Sequence, residues 1–226
     1  MTTYDFLDGA GPVPAHQHSN GGGWVADSAQ VAASAFVGPD AKVYGNAVVR
    51  GNARVFGNAM VYGTAWVFGN AWVFGNASVY GYARVSGNAR VYGYAEVFGN
   101  AGVFGNASVY GYAMVSGNAL VYDNAMVCGT ARVFDGAKVC GNAVVYGNAK
   151  VCGNAKVLGN AVIGMRLDRF DAAIKENTMS DFIAEIRAVA GRISDVDDHV
   201  TVHQAADEIE RLREALRGAK DITPTN

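Results

Sequence analysis

The sequence predicts an all-β solenoid: a triangular parallel β-helix of about eight 18-residue coils, followed by a small α-helical C-terminal region. Three observations carry this expectation. An aliphatic anchor recurs every sixth residue, as valine from Val25 through Val157 and as Ile163 at the end, 24 times without a miss. Alanine stands four residues after the anchor, from Ala29 through Ala161, 23 times without a miss. From Gly45 onward the second place after the anchor is glycine in 18 of 20 repeats, with Asp123 and Asp135 the exceptions.

The spacing gives each element its place. Alanine and the next valine are two residues apart, so on a strand they point to the same side, the core. A six-residue period leaves no room for a longer strand, and the chain must turn at Gly-Asn. Glycine tolerates positive φ, asparagine is the next most tolerant residue, and aspartate also suits turns. One strand and one corner per six residues build three faces, each strand pairing in parallel with the one 18 residues on. At about 4.8 Å per coil the stack is roughly 35–40 Å long. Full burial of each valine contributes about 1.5–3 kcal/mol. Valine and alanine fill the interior, so function must reside on the outer faces, the corners or the two ends.

The residue after the anchor is aromatic in thirteen repeats. Sorted by face, one column holds Tyr44, Tyr62, Tyr80, Phe98 and Phe134, interrupted by Ser116. A second holds Phe56, Phe74, Tyr92, Tyr110 and Tyr146, interrupted by Cys128. The third face has only Phe68, Phe104 and Tyr122. Trp66 and Trp72 add outward-pointing bulk. Such columns stabilise a sheet by cross-strand packing. Exposed apolar surface of this extent is also uncommon on monomers, so the columns are candidate interfaces for a homo-oligomer, a trimer being favoured, with carbohydrate as a further ligand class. Arg84, Arg90, Arg132, Lys138, Lys150 and Lys156 lie outward before the anchor on different faces, as a solubilising surface.

The unit Val-(Tyr/Phe)-Gly-Asn-Ala-x, clear in Val43-Tyr44-Gly45-Asn46-Ala47, resembles the hexapeptide-repeat left-handed β-helix family over residues 24–164. The resemblance implies a left-handed coil. Many members of that family are acyltransferases and some are zinc carbonic anhydrases, which use histidines on the coils and projecting loops. This chain has no histidine between residues 19 and 198 and no insertion from Val25 to Ile163. With neither a general base nor zinc ligands in the array, no enzyme and no cofactor are expected.

Residues 1–23 form an N-terminal cap or lead-in, residues 24–164 the β-helix, and residues 165–226 a helical cap or oligomerisation region. An open end of a β-helix is an exposed sheet edge, so the Gly- and Pro-rich lead-in is expected to fold over the first coil. Within it, His16 and His18 form an H-x-H pair that could hold a metal where three chains converge, as in the phage spike and fibre proteins it resembles; an ordinary polar lead-in is the simpler reading. After Gly164 the period becomes helical, and Val202, Ile209, Leu212 and Leu216 fall on one face of a helix opened by Thr201. Gly21-Gly22-Gly23-Trp24-Val25 resembles the start of such arrays in bacterial and phage-encoded proteins, and the run from Ala205 to Arg213 resembles tails of small phage-encoded proteins.

Composition narrows the function. The net charge of -2 argues against a dedicated nucleic-acid binder. Residues 24–164 carry nine Lys/Arg and five Asp/Glu, residues 165–226 nine and thirteen. The chain has no apolar run long enough for a membrane span. Its start lacks the basic and apolar regions of a secretory signal, and Cys128, Cys140 and Cys152 are odd in number and fall on three faces. These features point to synthesis in a reducing cytoplasm. The expected function is a non-catalytic structural or adhesive scaffold, a homotrimeric phage-type fibre, spike or decoration component associated with the virion. The second reading is a cytoplasmic module that sequesters a host ligand or blocks a host defence protein.

Overall fold

The computed structural model describes residues 2–164. The lead-in contributes β1 (Thr3–Tyr4) and β2 (Val13–Gln17). The array then begins with β3 (Trp24–Ala26), β4 (Gln30–Val31) and β5 (Phe36–Val37), one on each of three faces, and short strands follow every six residues to β26 (Val162–Gly164). Strands 18 residues apart pair in parallel, as in Trp66↔Arg84 with Val67↔Val85. The face begun by β3 becomes a ten-stranded sheet because β1 and β2 join it, while the faces begun by β4 and β5 have eight strands each. We call them the first, second and third faces.

Every anchor from Val37 to Val145, and every alanine from Ala35 to Ala143, is fully buried in one continuous core. The ends differ: Val31 and Ile163 are half-buried, because among the described residues no further coil closes over them.

From residue 45 onward each corner places one residue in the left-handed region. Over the 20 corners from 45 to 159, φ lies between +60° and +74°, and this includes Asp123 and Asp135. Gly87 shows why glycine dominates: a Cβ there would stand 2.9 Å from the carbonyl oxygen of Gly105. The two aspartates use their side chains instead, Oδ2 of Asp123 accepting from the Gly141 N–H and Oδ2 of Asp135 from that of Gly153.

The corner asparagines depart from expectation. None of them has positive φ, since a single left-handed residue suffices for the turn. Their role is between coils. The backbone N–H of Asn46 donates to the carbonyl of Gly63 at 2.7 Å, a bond repeated along the corners. Between the second and third faces, the side chains form a hydrogen-bonded ladder from Asn52 to Asn160, one rung every 18 residues, at 3.0–3.4 Å.

The lead-in also does more than cover the first coil. β2 pairs antiparallel with β3 through His16↔Val25, and β1 pairs antiparallel with β2, so the first face is extended as a sheet. Phe6 is buried beside Ala26, where the first coil lacks an aromatic, and stacks on Tyr44 at 4.8 Å. The expected C-terminal helix bearing Val202, Ile209, Leu212 and Leu216 lies outside the described residues.

Candidate interaction surfaces

The two aromatic columns stand on the first and third faces. On the first, Tyr44, Tyr62, Tyr80 and Phe98 stack at 4.8–5.0 Å between ring centres, with planes 3–5° apart. On the third, Phe56, Phe74, Tyr92 and Tyr110 stack at 4.8–4.9 Å. The strand spacing of about 4.8 Å imposes this repeat. Because it exceeds the closest carbon contact of roughly 3.5–4.0 Å, near-parallel rings must slip sideways into the favoured offset arrangement. Phe134 and Tyr146 lie on the same faces beyond the gaps left by Ser116 and Cys128. Tyr44 is buried, and the other rings of both columns are half-buried, with their edges facing out.

Burial marks these tyrosines electrostatically. It pushes the Tyr44 hydroxyl up to about 12, with smaller contributions from Tyr62 and Asp8. Tyr80 is raised by burial and by its hydrogen bond to Glu96 Oε2, at 2.9 Å. Tyr62 is raised by burial and the charge of Glu96, and Tyr92 by burial and Cys128, against an opposing pull from Arg90.

Other outward groups form their own columns. On the third face the Arg54 guanidinium lies 4.9 Å from the Phe36 ring and 5.2 Å from Trp72, which Arg90 covers on its other side at 5.4 Å. This alternation of cation and ring is a favourable electrostatic contact. The second face, poorer in aromatics, carries exposed Trp66 and Phe68. The outward basic residues fall on all three faces, with Arg132 beside Lys150 on the first and Lys138 beside Lys156 on the second. Cys128, Cys140 and Cys152 form no disulfide among the described residues and lie one per face, half-buried, buried and exposed respectively. All three stand in the aromatic place after the anchor, and Cys140 shares a side-chain hydrogen bond with Tyr122.

Sequence reasoning missed three exposed rings. Tyr82, Tyr94 and Tyr112 replace the corner asparagine and are 53–67% exposed. Tyr94 and Tyr112 stack at 4.9 Å, two coils of one corner. The signal was present in Gly-Tyr-Ala in place of Gly-Asn-Ala. The column on the first face also begins earlier than the repeat does, with Phe6 stacked on Tyr44, and beside it Tyr4 stacks on Trp24.

His16 and His18 have different partners within the chain. His16 is exposed, with Nδ1 2.8 Å from Asp27 Oδ1. His18 is buried, and its Nδ1 lies 3.3 Å from the backbone nitrogen of Asn20, which donates to it. Among the described residues no three His, Cys, Asp or Glu side chains form a group suited to a metal ion.

Residues 53–68 and 83–97 match the family model described as the YdcK β-solenoid repeat. A comparison with curated proteins gives no match. Both matched stretches lie inside the stacked coils, and together with the parallel 18-residue register they identify this chain as a β-solenoid repeat protein.

Proposed function

We propose that this β-solenoid is a non-catalytic structural or adhesive scaffold that assembles as a homotrimer, a fibre, spike or decoration component of the phage kind, associated with the virion. The observation that carries the reading is the pair of stacked, half-buried aromatic columns on the first and third faces, which present a long apolar strip on a core already filled by valine and alanine. Their ring edges are the part of the surface that a second and third copy would cover. The resemblance to hexapeptide-repeat proteins supports the same architecture. Polar groups of the array are committed to holding the fold: Asp27 to His16, Glu96 to Tyr80, Asp123 and Asp135 to corner N–H groups.

Light scattering on the full chain tests this. The expected mass is three times that of one chain, falling toward one chain in the Phe74→Ser, Tyr92→Ser double variant. A trimer untouched by that variant would remove the columns from the interface. A monomer at all concentrations would leave the second reading, a cytoplasmic module that captures a host protein or carbohydrate, which the exposed Tyr94–Tyr112 pair favours as an unburied aromatic patch.

A further inference from the structure

We propose that the N-terminal edge of the second face is a strand-addition site for an extended peptide segment of a partner chain, one that carries a carboxylate side chain. The inference is independent of the oligomeric state.

The three faces end differently at this end of the solenoid. On the first face, β2 pairs with β3 through three successive residue pairs. On the third face, the lead-in satisfies all three outward backbone groups of the edge. Asn20 Nδ2 donates to the carbonyl of Ala35 at 2.9 Å. The Val37 N–H donates to the carbonyl of Asn20, and the Gly23 N–H to the carbonyl of Val37, each at 3.0 Å. On the second face the corresponding groups are the carbonyl of Ala29 and the N–H and carbonyl of Val31. Among the described residues none of the three has a hydrogen-bond partner, while Gln30 and Ala32 donate inward to the next coil at 2.9 Å. An edge with this pattern is a template for one more strand.

The edge lies in an open recess of about 620 Å³ whose lining includes His16 and Arg50. Val31 is half-buried there, unlike Val25 and Val37 on the covered edges, so an added strand also gains apolar contact. The charges favour an acidic occupant. His16 already has Asp27. Arg50 donates to Gln30 Oε1 at 2.7 Å and lies 5.7 Å from the Trp66 ring, with no carboxylate partner among the described residues. A peptide carboxylate would complete its charge. A second solenoid fits less well, because β1 and β2 extend the first face by about 9–10 Å beyond β3 at ~4.8 Å per strand, holding a flat end away from β4.

The test follows the amide of Val31 by NMR hydrogen exchange in the full chain, with acetyl-Thr-Val-Glu-Val-Thr-amide as probe and its Glu-to-Lys counterpart as control. At a concentration about ten times the dissociation constant, the Glu probe should slow exchange at Val31 about elevenfold, since only the free edge exchanges. Arg50→Glu should abolish that response and transfer it to the Lys peptide, with the urea midpoint confirming an intact fold. Three results would overturn the proposal: equal responses to both peptides, an Arg50→Glu variant that keeps the Glu response, or slow exchange at Val31 without peptide. In the last case, dilution separates a second copy, whose protection is lost, from residues 165–226 of the same chain, whose protection persists.

Discussion

In the repeat array almost every side chain has a counterpart 18 residues away, whereas in the lead-in no side chain has one. The array meets one physical problem, closing a six-residue period, and solves it the same way at 20 successive corners. The lead-in meets three different edges and solves two of them, each differently: by antiparallel pairing on the first face and by the Asn20–Gly23 turn on the third. Order built by repetition is redundant, and order built once depends on single residues. Stacked repeats exchange energy mainly with their neighbours, so damage should spread differently in the two regions.

The largest expected effect lies in the middle of the array. Val97→Asp places an unpaired charge in the sealed core and should destabilise by about 3–5 kcal/mol, seen as a shifted urea midpoint by circular dichroism. A normal midpoint would mean that the core is not sealed. Phe6→Ala removes a single ring of the lead-in and should lose about 1.5–3 kcal/mol of burial. Its damage should stay local, with faster amide exchange in β2 and β3 and an unchanged middle of the array. Uniform loss of protection would show that the two regions form one cooperative unit.

Corner chemistry sharpens the comparison. Gly87→Val forces a β-branched residue into the left-handed region against the Gly105 carbonyl and should cost about 1–3 kcal/mol. Gly87→Asp should cost less, because Asp123 and Asp135 hold the same conformation and bond to the next corner. Equal urea midpoints for the two variants would contradict this account.

Redundancy itself can be tested by deletion. Removing residues 79–96 brings Phe98 over Tyr62, Tyr110 over Phe74 and Asn106 over Asn70, so every column closes again. Removing residues 79–84 keeps the valine and alanine core but sets Ser86 over Tyr62 and Tyr94 over Asn70. Both should fold. The shorter deletion should be the less stable by about 1 kcal/mol, the value of one or two ring stacks. Matching stability would show that the columns contribute nothing.

The smallest effect is the pH dependence at alkaline pH. Tyr44 keeps its proton in the folded chain up to about pH 12, whereas an unfolded tyrosine loses it near pH 10. Its contribution is fully present below pH 10 and is lost as pH rises toward 12. Tyr62, Tyr80 and Tyr92 are raised in the same direction. The urea midpoint should fall above pH 10, and less steeply in Tyr44→Phe.

Much of this molecule was legible in its sequence. The anchor, the alanine and the corner glycine determined by themselves the faces, the register and the buried set, because each rests on a local rule: strand alternation, a six-residue period, and a backbone angle that L-residues avoid. The aromatic columns followed from the same arithmetic. The corner tyrosines could have been found there too, since Gly-Tyr-Ala breaks the repeat in plain view. The part played by asparagine was misread, because its ladder needs two coils in contact before a side chain can show what it bonds to. The lead-in was legible only as a cap. That Phe6 fills the empty place beside Ala26, that His18 is buried against Asn20, and that the edge at Val31 stays open were decided by the tertiary structure alone. A residue used once has no period to announce its partner, and its partner is set by which backbone groups the rest of the fold has left unpaired.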